Sequence, residues 1–157
     1  MENEIYGTVS RRKVSHGTIL LVEDEPFVRE VTCEVLMSCG FKVFSTGGAT
    51  EAIQSFLDHD RKVDLLLTDL VMPERSGRDL ALELKAVCPG LKVLFTSGYP
   101  QVLDIAEECA STSFLAKPYS VRILVQKVEQ MLGETDSPFS ASAEAANLIA
   151  LTQDASS

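Results

Sequence analysis

The sequence predicts an α/β fold in which a parallel sheet of five strands is covered by helices on both faces. Two observations lead to this fold class. Short apolar runs alternate with segments whose apolar residues recur at helical spacing. The runs are apolar at nearly every position, which is typical of strands that are buried on both faces. Such alternation requires right-handed crossovers and produces a doubly wound sheet.

Each element is predicted from its own pattern. The strands are predicted at 18–22, 41–44, 63–69, 91–95 and 113–116. The first helix, 26–39, begins at Pro26, a residue favoured at the first helical position, and Gly40 ends it. The later helices are 49–57, a helix with Leu80, Leu84 and Val87 inward, a helix with Val102, Ile105, Ala106 and Cys109, and about 120–132, which Gly133 ends.

The strand order predicts where a functional site lies. A flavodoxin-like order, 2-1-3-4-5, makes the first and third strands neighbours, and ligands bind beyond the carboxyl ends of strands at such a switch point. Asp69 ends an apolar run, and a carboxylate in such a place costs free energy unless it has a functional partner. Glu23, Asp24, Thr96 and Lys117 also fall at these strand ends, so we predict that they meet around Asp69.

The chemistry of these side chains points to phosphoryl transfer. Three close carboxylates repel one another, and a divalent cation relieves the conflict. Oxygen ligands without histidine or cysteine favour Mg²⁺ or Mn²⁺ over zinc. Lys117 adds a second positive charge and Thr96 a hydroxyl group. A metal, a lysine and a hydroxyl around one carboxylate form a site in which Asp69 is the nucleophile.

Residues 18–132 resemble the receiver domain of two-component response regulators. The resemblance is carried by Glu23-Asp24, Asp69 with Met72-Pro73 and Gly77, Thr96 with Ser97-Gly98, and Lys117-Pro118-Tyr119. The runs 94–100 and 114–119 are most similar to receivers of hybrid histidine kinases. The resemblance implies that Asp69 accepts phosphate from the phosphohistidine of a sensor or hybrid histidine kinase, or from a phosphotransfer protein.

The resemblance also implies roles for the neighbouring residues. Asp24, Asp69 and the main-chain carbonyl of Val71 bind Mg²⁺, and Glu23 helps directly or through water. Thr96 moves to bond the phosphoryl group, and Phe114 occupies the switch aromatic position. The fourth helix, fifth strand and last helix then form the responding surface, through which a homodimer could also form. The sequence departs from the family at two positions: Glu23 stands where many members have aspartate, and Phe114 lacks a hydroxyl.

Other functions fit the residues less well. A phosphatase with an aspartyl-phosphate intermediate needs a second acid where Val71 stands, and a flavin-binding domain would not place acids beside a phosphate. A pseudo-receiver, which binds a protein without phosphorylation, would not need every acidic, hydroxyl and lysine position. Glu23, Asp24 and Glu25 could simply cap the first helix, but that leaves Asp69 unexplained. Phe114 could be an ordinary core residue.

Composition limits the remaining classes. The net charge of −9 argues against a nucleic-acid surface, and no apolar stretch approaches a membrane span. The four cysteines form no metal-binding pattern and are expected to be free thiols, and no signal peptide is evident, so we expect a cytoplasmic protein. We expect a polar lead at 1–17, a receiver domain at 18–133 and a mostly disordered Ser/Ala-rich tail at 134–157. No enzymatic turnover is expected beyond phosphoryl acceptance and self-dephosphorylation.

Overall fold

The computed structural model describes residues 17–98 and 111–133. The strands are β1 Thr18–Val22, β2 Lys42–Thr46, β3 Leu65–Asp69, β4 Lys92–Ser97 and β5 Thr112–Ala116. The helices are α1 Pro26–Ser38, α2 Ala49–Asp58, α3 Gly77–Val87 and α4 Val121–Met131. The predicted helix around 102–109, the predicted lead at 1–17 except Gly17, and the predicted tail at 134–157 lie outside the described residues. The responding surface predicted above therefore lies only partly within them.

The five strands form one parallel sheet in the order β2-β1-β3-β4-β5, which confirms the predicted fold class. The register brings the ends of the central strands together. Asp69 at the end of β3 lies opposite Thr96 in β4. Ser97 lies opposite Ala116, so Lys117 follows directly after the paired part of β5. The carboxyl ends of these strands therefore meet at one end of the sheet.

Alternate residues of the buried strands face two separate apolar cores. One core joins Leu21, Leu67 and Leu94 to residues of α1 and α4. The other joins Leu66 and Val93 to residues of α2 and α3. The sheet is therefore covered on both faces, as the continuous apolar runs predict. Within the described residues, no helix is long and apolar enough to cross a membrane.

The boundaries of four strands differ from the prediction; β4 runs from Lys92 to Ser97 rather than over 91–95, and β5 from Thr112 to Ala116 rather than over 113–116. The strand β2 runs from Lys42 to Thr46 rather than over 41–44. Its polar end still pairs with β1, because the Thr46 hydroxyl donates to the Leu21 carbonyl at 3.0 Å. The regular part of β3 begins at Leu65 rather than 63. The Asp64 carboxylate accepts a hydrogen bond from the Thr18 main-chain N–H at 2.8 Å and so joins the two strand beginnings.

The helix ends follow the predicted residues closely. Pro26 begins α1, and Gly40, with φ +97°, adopts the left-handed conformation that follows its end. Serine caps two other helices. Ser76 accepts from the Asp79 main-chain N–H at the start of α3, and Ser120 accepts from the Ile123 N–H at the start of α4. Ser120 thus begins α4 directly after the loop that carries Lys117.

Candidate functional site

The structure brings the three predicted acids together. Glu23 and Asp24 follow β1, and Asp69 ends β3, its neighbour in the sheet. One carboxylate oxygen from each lies within 4.8 Å of the other two. Because like charges at this separation destabilise one another, the group favours a bound cation.

Lys117 lies between two of the acids. Its Nζ donates to Glu23 Oε2 at 2.9 Å and to Asp69 Oδ2 at 3.0 Å. Burial disfavours the charged ammonium, but the hydrogen bonds and charges of the two carboxylates outweigh it, so the pKa of Lys117 is raised. Lys117 follows β5, and its peptide bond to Pro118 is cis. One ammonium does not balance three carboxylates, so this cluster remains negative.

Glu23 is held by the protein, whereas Asp24 is open to solvent. Glu23 is 4% exposed, and its Oε1 accepts from the Glu25 main-chain N–H at 3.1 Å. Its own main-chain N–H donates to the Thr46 carbonyl at 3.1 Å. Both carboxylate oxygens of Glu23 therefore already have protein donors. Asp24 is the exposed acid of the group and the one most available to an incoming ligand.

The loop after Asp69 closes tightly on itself. The Leu70 main-chain N–H donates to the Thr96 carbonyl at 2.8 Å, and the Gly77 N–H donates to the Leu70 carbonyl at 2.9 Å. A Cβ at Gly77 would lie 2.1 Å from the Asp69 carbonyl oxygen, so only glycine fits. Val71, the predicted carbonyl ligand, lies in this loop with its side chain 52% exposed.

Thr96 and Phe114 lie on the far side of Asp69. Thr96 is 3% exposed and is the register partner of Asp69. Phe114 is half-buried and stacks on Phe95, with ring centroids 5.4 Å apart, at the border of the core formed with α2 and α3. The residue predicted as an aromatic switch therefore has a packing partner on the neighbouring strand. Both interpretations of Phe114, switch and core residue, fit this position.

Two contacts near the site were not predicted from the sequence. Arg29 in α1 donates from Nη1 to the Glu23 main-chain carbonyl at 2.8 Å. The Tyr119 hydroxyl hydrogen-bonds the buried Thr32 side chain, and burial raises the pKa of Tyr119. An arginine or a threonine within an amphipathic helix carries no local signal of such a contact. Only the tertiary fold shows that α1 reaches both the acids and the lysine loop.

Comparison with known proteins decides the family. A sequence model described as the response regulator receiver domain matches residues 19–129. The chain belongs to this family. The receiver is 35% identical over 123 residues to the sensor kinase CckA of Brucella abortus (strain 2308), and the match covers 76% of this chain and 13% of the kinase. It is 33% identical over 116 residues to the response regulator receiver protein CpdR of the same organism, covering 73% of this chain and 95% of CpdR.

A solved structure agrees with these sequences. The crystal structure of the receiver domain from the hybrid histidine kinase CckA matches with a TM-score of 0.64 at 31% identity, covering 74% of this chain and 99% of that one. The resemblance to receivers of hybrid histidine kinases is thereby confirmed. This chain corresponds to a small part of the CckA kinase and to nearly all of CpdR.

The donor set of the receiver fits a magnesium ion. The three acids offer oxygen atoms only, and Asp24 is accessible from solvent. Mg²⁺ prefers oxygen ligands, uses one or two carboxylates and keeps several waters.

The three cysteines in the described residues are free thiols, as predicted: Cys33, Cys39 and Cys88. Burial raises the pKa of the Cys39 thiol to about 12, which keeps it neutral and chemically inert in the core.

Proposed function

We propose that this receiver accepts a phosphoryl group on Asp69 from a histidine kinase or a phosphotransfer protein, with Mg²⁺ bound at the acidic group. The observation that carries the proposal is the environment of one carboxylate. Asp69 ends a central strand with Lys117 Nζ 3.0 Å from its Oδ2 and Thr96 beside it in register. The similarity of this chain to a sensor kinase and to a response regulator receiver protein supports a partner of this kind.

Different residues around Asp69 would bind the metal and the phosphoryl oxygens. Asp24, Asp69 and the Val71 carbonyl would hold the metal, with Glu23 assisting through water or directly. Bound Mg²⁺ would neutralise negative charge on the phosphoryl oxygens. The Lys117 ammonium would bind a phosphoryl oxygen from the other side, and the Thr96 hydroxyl would donate a hydrogen bond to another. Positioning and charge neutralisation are the main requirements of such transfers.

The transfer itself needs no external reactant besides the donor. The Asp69 carboxylate attacks the phosphorus of the phosphohistidine in line with the phosphorus–nitrogen bond. A phosphorus–oxygen bond forms as the phosphorus–nitrogen bond breaks, and its electron pair returns to the ring. The histidine leaves as a neutral imidazole when its other ring nitrogen carries a proton. The product is an aspartyl phosphate, so the chain acts as an acceptor rather than as an enzyme with an external substrate.

Phosphorylation would then change the surface that a partner reads. A phosphoryl group adds charge and hydrogen-bond acceptors at Asp69, and a hydroxyl at Thr96 can follow them. Phe114 packs on Phe95, which lies on the same strand as Thr96. Because Phe114 has no hydroxyl with which to form a hydrogen bond, it would respond only by rotating and repacking. We propose that this response extends through β5 and α4. A phosphoryl mimic such as beryllofluoride should shift amide resonances there as well as near Asp69.

The proposal is tested by intact mass after incubation with Mg²⁺ and a small phosphodonor such as acetyl phosphate. We expect the wild type to gain one phosphoryl group and Asp69→Asn to gain none. Asp58→Asn is the matched control, because Asp58 is an exposed acid at the end of α2 whose amide replacement keeps an acceptor for Gln54. Stoichiometric labelling of Asp69→Asn would contradict the assignment. A wild type that gains no mass would favour the pseudo-receiver.

A further inference from the structure

We propose that Arg29 is a positioning residue that fixes the metal-binding turn through the Glu23 main-chain carbonyl, whereas Lys117 holds the Glu23 carboxylate. The inference rests on the proposed function, because it concerns the Mg²⁺ of the phosphoacceptor site. Arg29 lies in the first turns of α1 and is half-buried. Its Nη1 donates to the main-chain carbonyl oxygen of Glu23 at 2.8 Å.

That carbonyl belongs to the peptide that joins Glu23 to Asp24. Holding it fixes the plane of the peptide and therefore the direction in which the Asp24 side chain leaves the backbone. The rest of Glu23 is already held through its N–H, by the Thr46 carbonyl, and through its carboxylate, by Lys117 and the Glu25 N–H. With the hydrogen bond from Arg29, every polar group of Glu23 has a hydrogen-bond partner. The backbone direction from which the Asp24 side chain leaves is therefore fixed.

Arg29 also joins this turn to the next one. A Cβ at Gly47 would lie 2.9 Å from Arg29 Nη1, so the glycine leaves space for the guanidinium. The Gly47 N–H in turn donates to Glu51 Oε2 at 3.0 Å. The two turns and α1 line an open surface pocket of about 410 Å³, whose lining includes Asp24, Arg29, Gly47 and Glu51. The guanidinium thus bridges the β1–α1 and β2–α2 turns beside the metal group.

A purely electrostatic role for Arg29 predicts the opposite result from a positioning role. A positive charge beside a cation site weakens cation binding, so its removal alone would strengthen Mg²⁺ binding. Loss of a positioning contact behind a metal ligand instead weakens metal binding, commonly by ten-fold or more. The sign of the change therefore separates the two roles.

The experiment measures the Mg²⁺ dissociation constant by calorimetry, with the melting temperature in EDTA as a separate measure of folding. Arg29→Met should weaken Mg²⁺ binding by roughly ten-fold. Gly47→Ala should weaken it too, because the added Cβ displaces the guanidinium while its charge remains. Arg29→Lys should bind Mg²⁺ more tightly than Arg29→Met, although charge alone favours the reverse order. Arg61→Met, an equal change of charge at the far end of α2, should match the wild type.

The outcomes separate this inference from the proposed function. If the wild type binds Mg²⁺ and Arg29→Met binds it equally or more tightly, the positioning role is overturned and the phosphoacceptor proposal stands. If Arg29→Lys binds less tightly than Arg29→Met, the charge explanation replaces it. If the wild type itself binds no Mg²⁺, the metal site and the inference fail together. Should Arg29→Met not fold, Gly47→Ala and Arg29→Lys, which keep the charge, still decide the question.

Discussion

At the carboxyl end of the sheet one lysine lies between carboxylates, whereas at the amino end two lysines bind neutral oxygens. Lys117 bridges Glu23 and Asp69. At the other end, Lys85 donates to the Ser111 and Thr112 hydroxyls, and Lys92 donates to the main-chain carbonyl of Met131 at the end of α4. A cation at a helix C-terminus is also favoured by the helix dipole.

This contrast indicates that the amino end of the sheet contributes to stability and the carboxyl end to binding. At the amino end Lys85 and Lys92 have neutral acceptors, and the Asp64 carboxylate accepts a hydrogen bond from the Thr18 main-chain N–H. At the carboxyl end three carboxylates lie close together and Lys117 bonds only two of them, so a further cation would relieve the remaining repulsion. Equivalent substitutions at the two ends should therefore differ in size and even in sign.

The largest difference is expected for glycine-to-alanine changes. Gly77→Ala would place a Cβ 2.1 Å from the Asp69 carbonyl oxygen, so the backbone at Asp69 must shift. We expect a loss of at least about 2 kcal/mol in the free energy of unfolding, together with slower labelling of Asp69. Urea unfolding and intact mass measure the two effects.

Gly90→Ala, in the turn before β4 at the amino end, is the matched control for that change. A Cβ there would meet no atom of the described residues within 4 Å. The free energy of unfolding should stay within about 0.5 kcal/mol of the wild type. Equal losses in the two variants would show that the close approach at Gly77 does not constrain the phosphoacceptor loop.

The next largest difference concerns the lysines. Lys117→Met would leave Glu23 and Asp69, whose side chains are 6% and 12% exposed, without their ammonium. We expect a loss of about 2 kcal/mol in the free energy of unfolding in EDTA at neutral pH, less than for a fully buried pair because Lys117 is 26% exposed. Lys92→Met should cost about 1 kcal/mol or less. A larger loss in Lys92→Met would reverse the assignment of the two ends.

The same pair predicts a pH dependence. The pKa of Lys117 lies above its ordinary value of 10.5, because the carboxylate contacts outweigh burial. The folded protein therefore holds this proton more tightly than the unfolded chain does. The stabilisation is fully present below pH 10.5 and is lost as the pH rises through the folded value. The stability difference between wild type and Lys117→Met should be constant from pH 7 to 9 and shrink above the ordinary value, as measured by urea unfolding.

A smaller effect, but one of opposite sign, is expected for the acids. Asp24→Asn removes one of the three repelling carboxylates, so in EDTA it should raise the free energy of unfolding by up to about 1 kcal/mol. It should also lose most of the rise in melting temperature that Mg²⁺ gives the wild type. Asp64→Ala at the amino end removes the acceptor of the Thr18 N–H and should lower stability by about 1 kcal/mol. If Asp24→Asn and Asp64→Ala both raise the free energy of unfolding, the lower net negative charge, rather than repulsion within the acidic site, explains the increase.

Sequence reasoning reached the sheet order and the meeting of Glu23, Asp24, Asp69 and Lys117 because both depend on regular features. Apolar runs identify buried strands, alternation with helices makes them parallel, and parallel strands end on the same side. A side chain at the carboxyl end of such a strand is then placed at that edge of the sheet by topology alone.

The features that sequence reasoning missed depend on the path of the loops. Arg29 contacts a main-chain carbonyl, and a carbonyl has no residue identity from which such a contact could be predicted. Gly77 was noticed as a motif residue, but its closeness to Asp69 depends on the turn between them. The β2 boundary was misplaced because Ser45 and Thr46 are polar, although the Thr46 hydroxyl finds an acceptor in the neighbouring strand.

The substitutions at Val71 and Gly98 are expected to change stability least, but to change the lifetime of an aspartyl phosphate. The resemblance to the family implies that the side chains at Val71 and Gly98 would flank the water that attacks an aspartyl phosphate at Asp69. The Val71 side chain is 52% exposed, and among the described residues a Cβ at Gly98 would meet no atom within 4 Å, so both positions accept larger polar groups. Neither present side chain can hydrogen-bond a water, so we expect slow self-dephosphorylation.

Val71→Asn combined with Gly98→Glu should therefore quicken the loss of phosphate by about ten-fold, since positioning a reactant is a large term in such chemistry. The measurement is the decay of phosphorylated protein in Mg²⁺ after the donor is removed. Leu82→Asn, at an exposed apolar position on α3, is the control for added surface polarity and should leave the decay unchanged. If the wild type loses phosphate as fast as the double variant, these positions do not set the lifetime. The Val71 side chain then has no part in the loss of phosphate, and only its main-chain carbonyl keeps a proposed role.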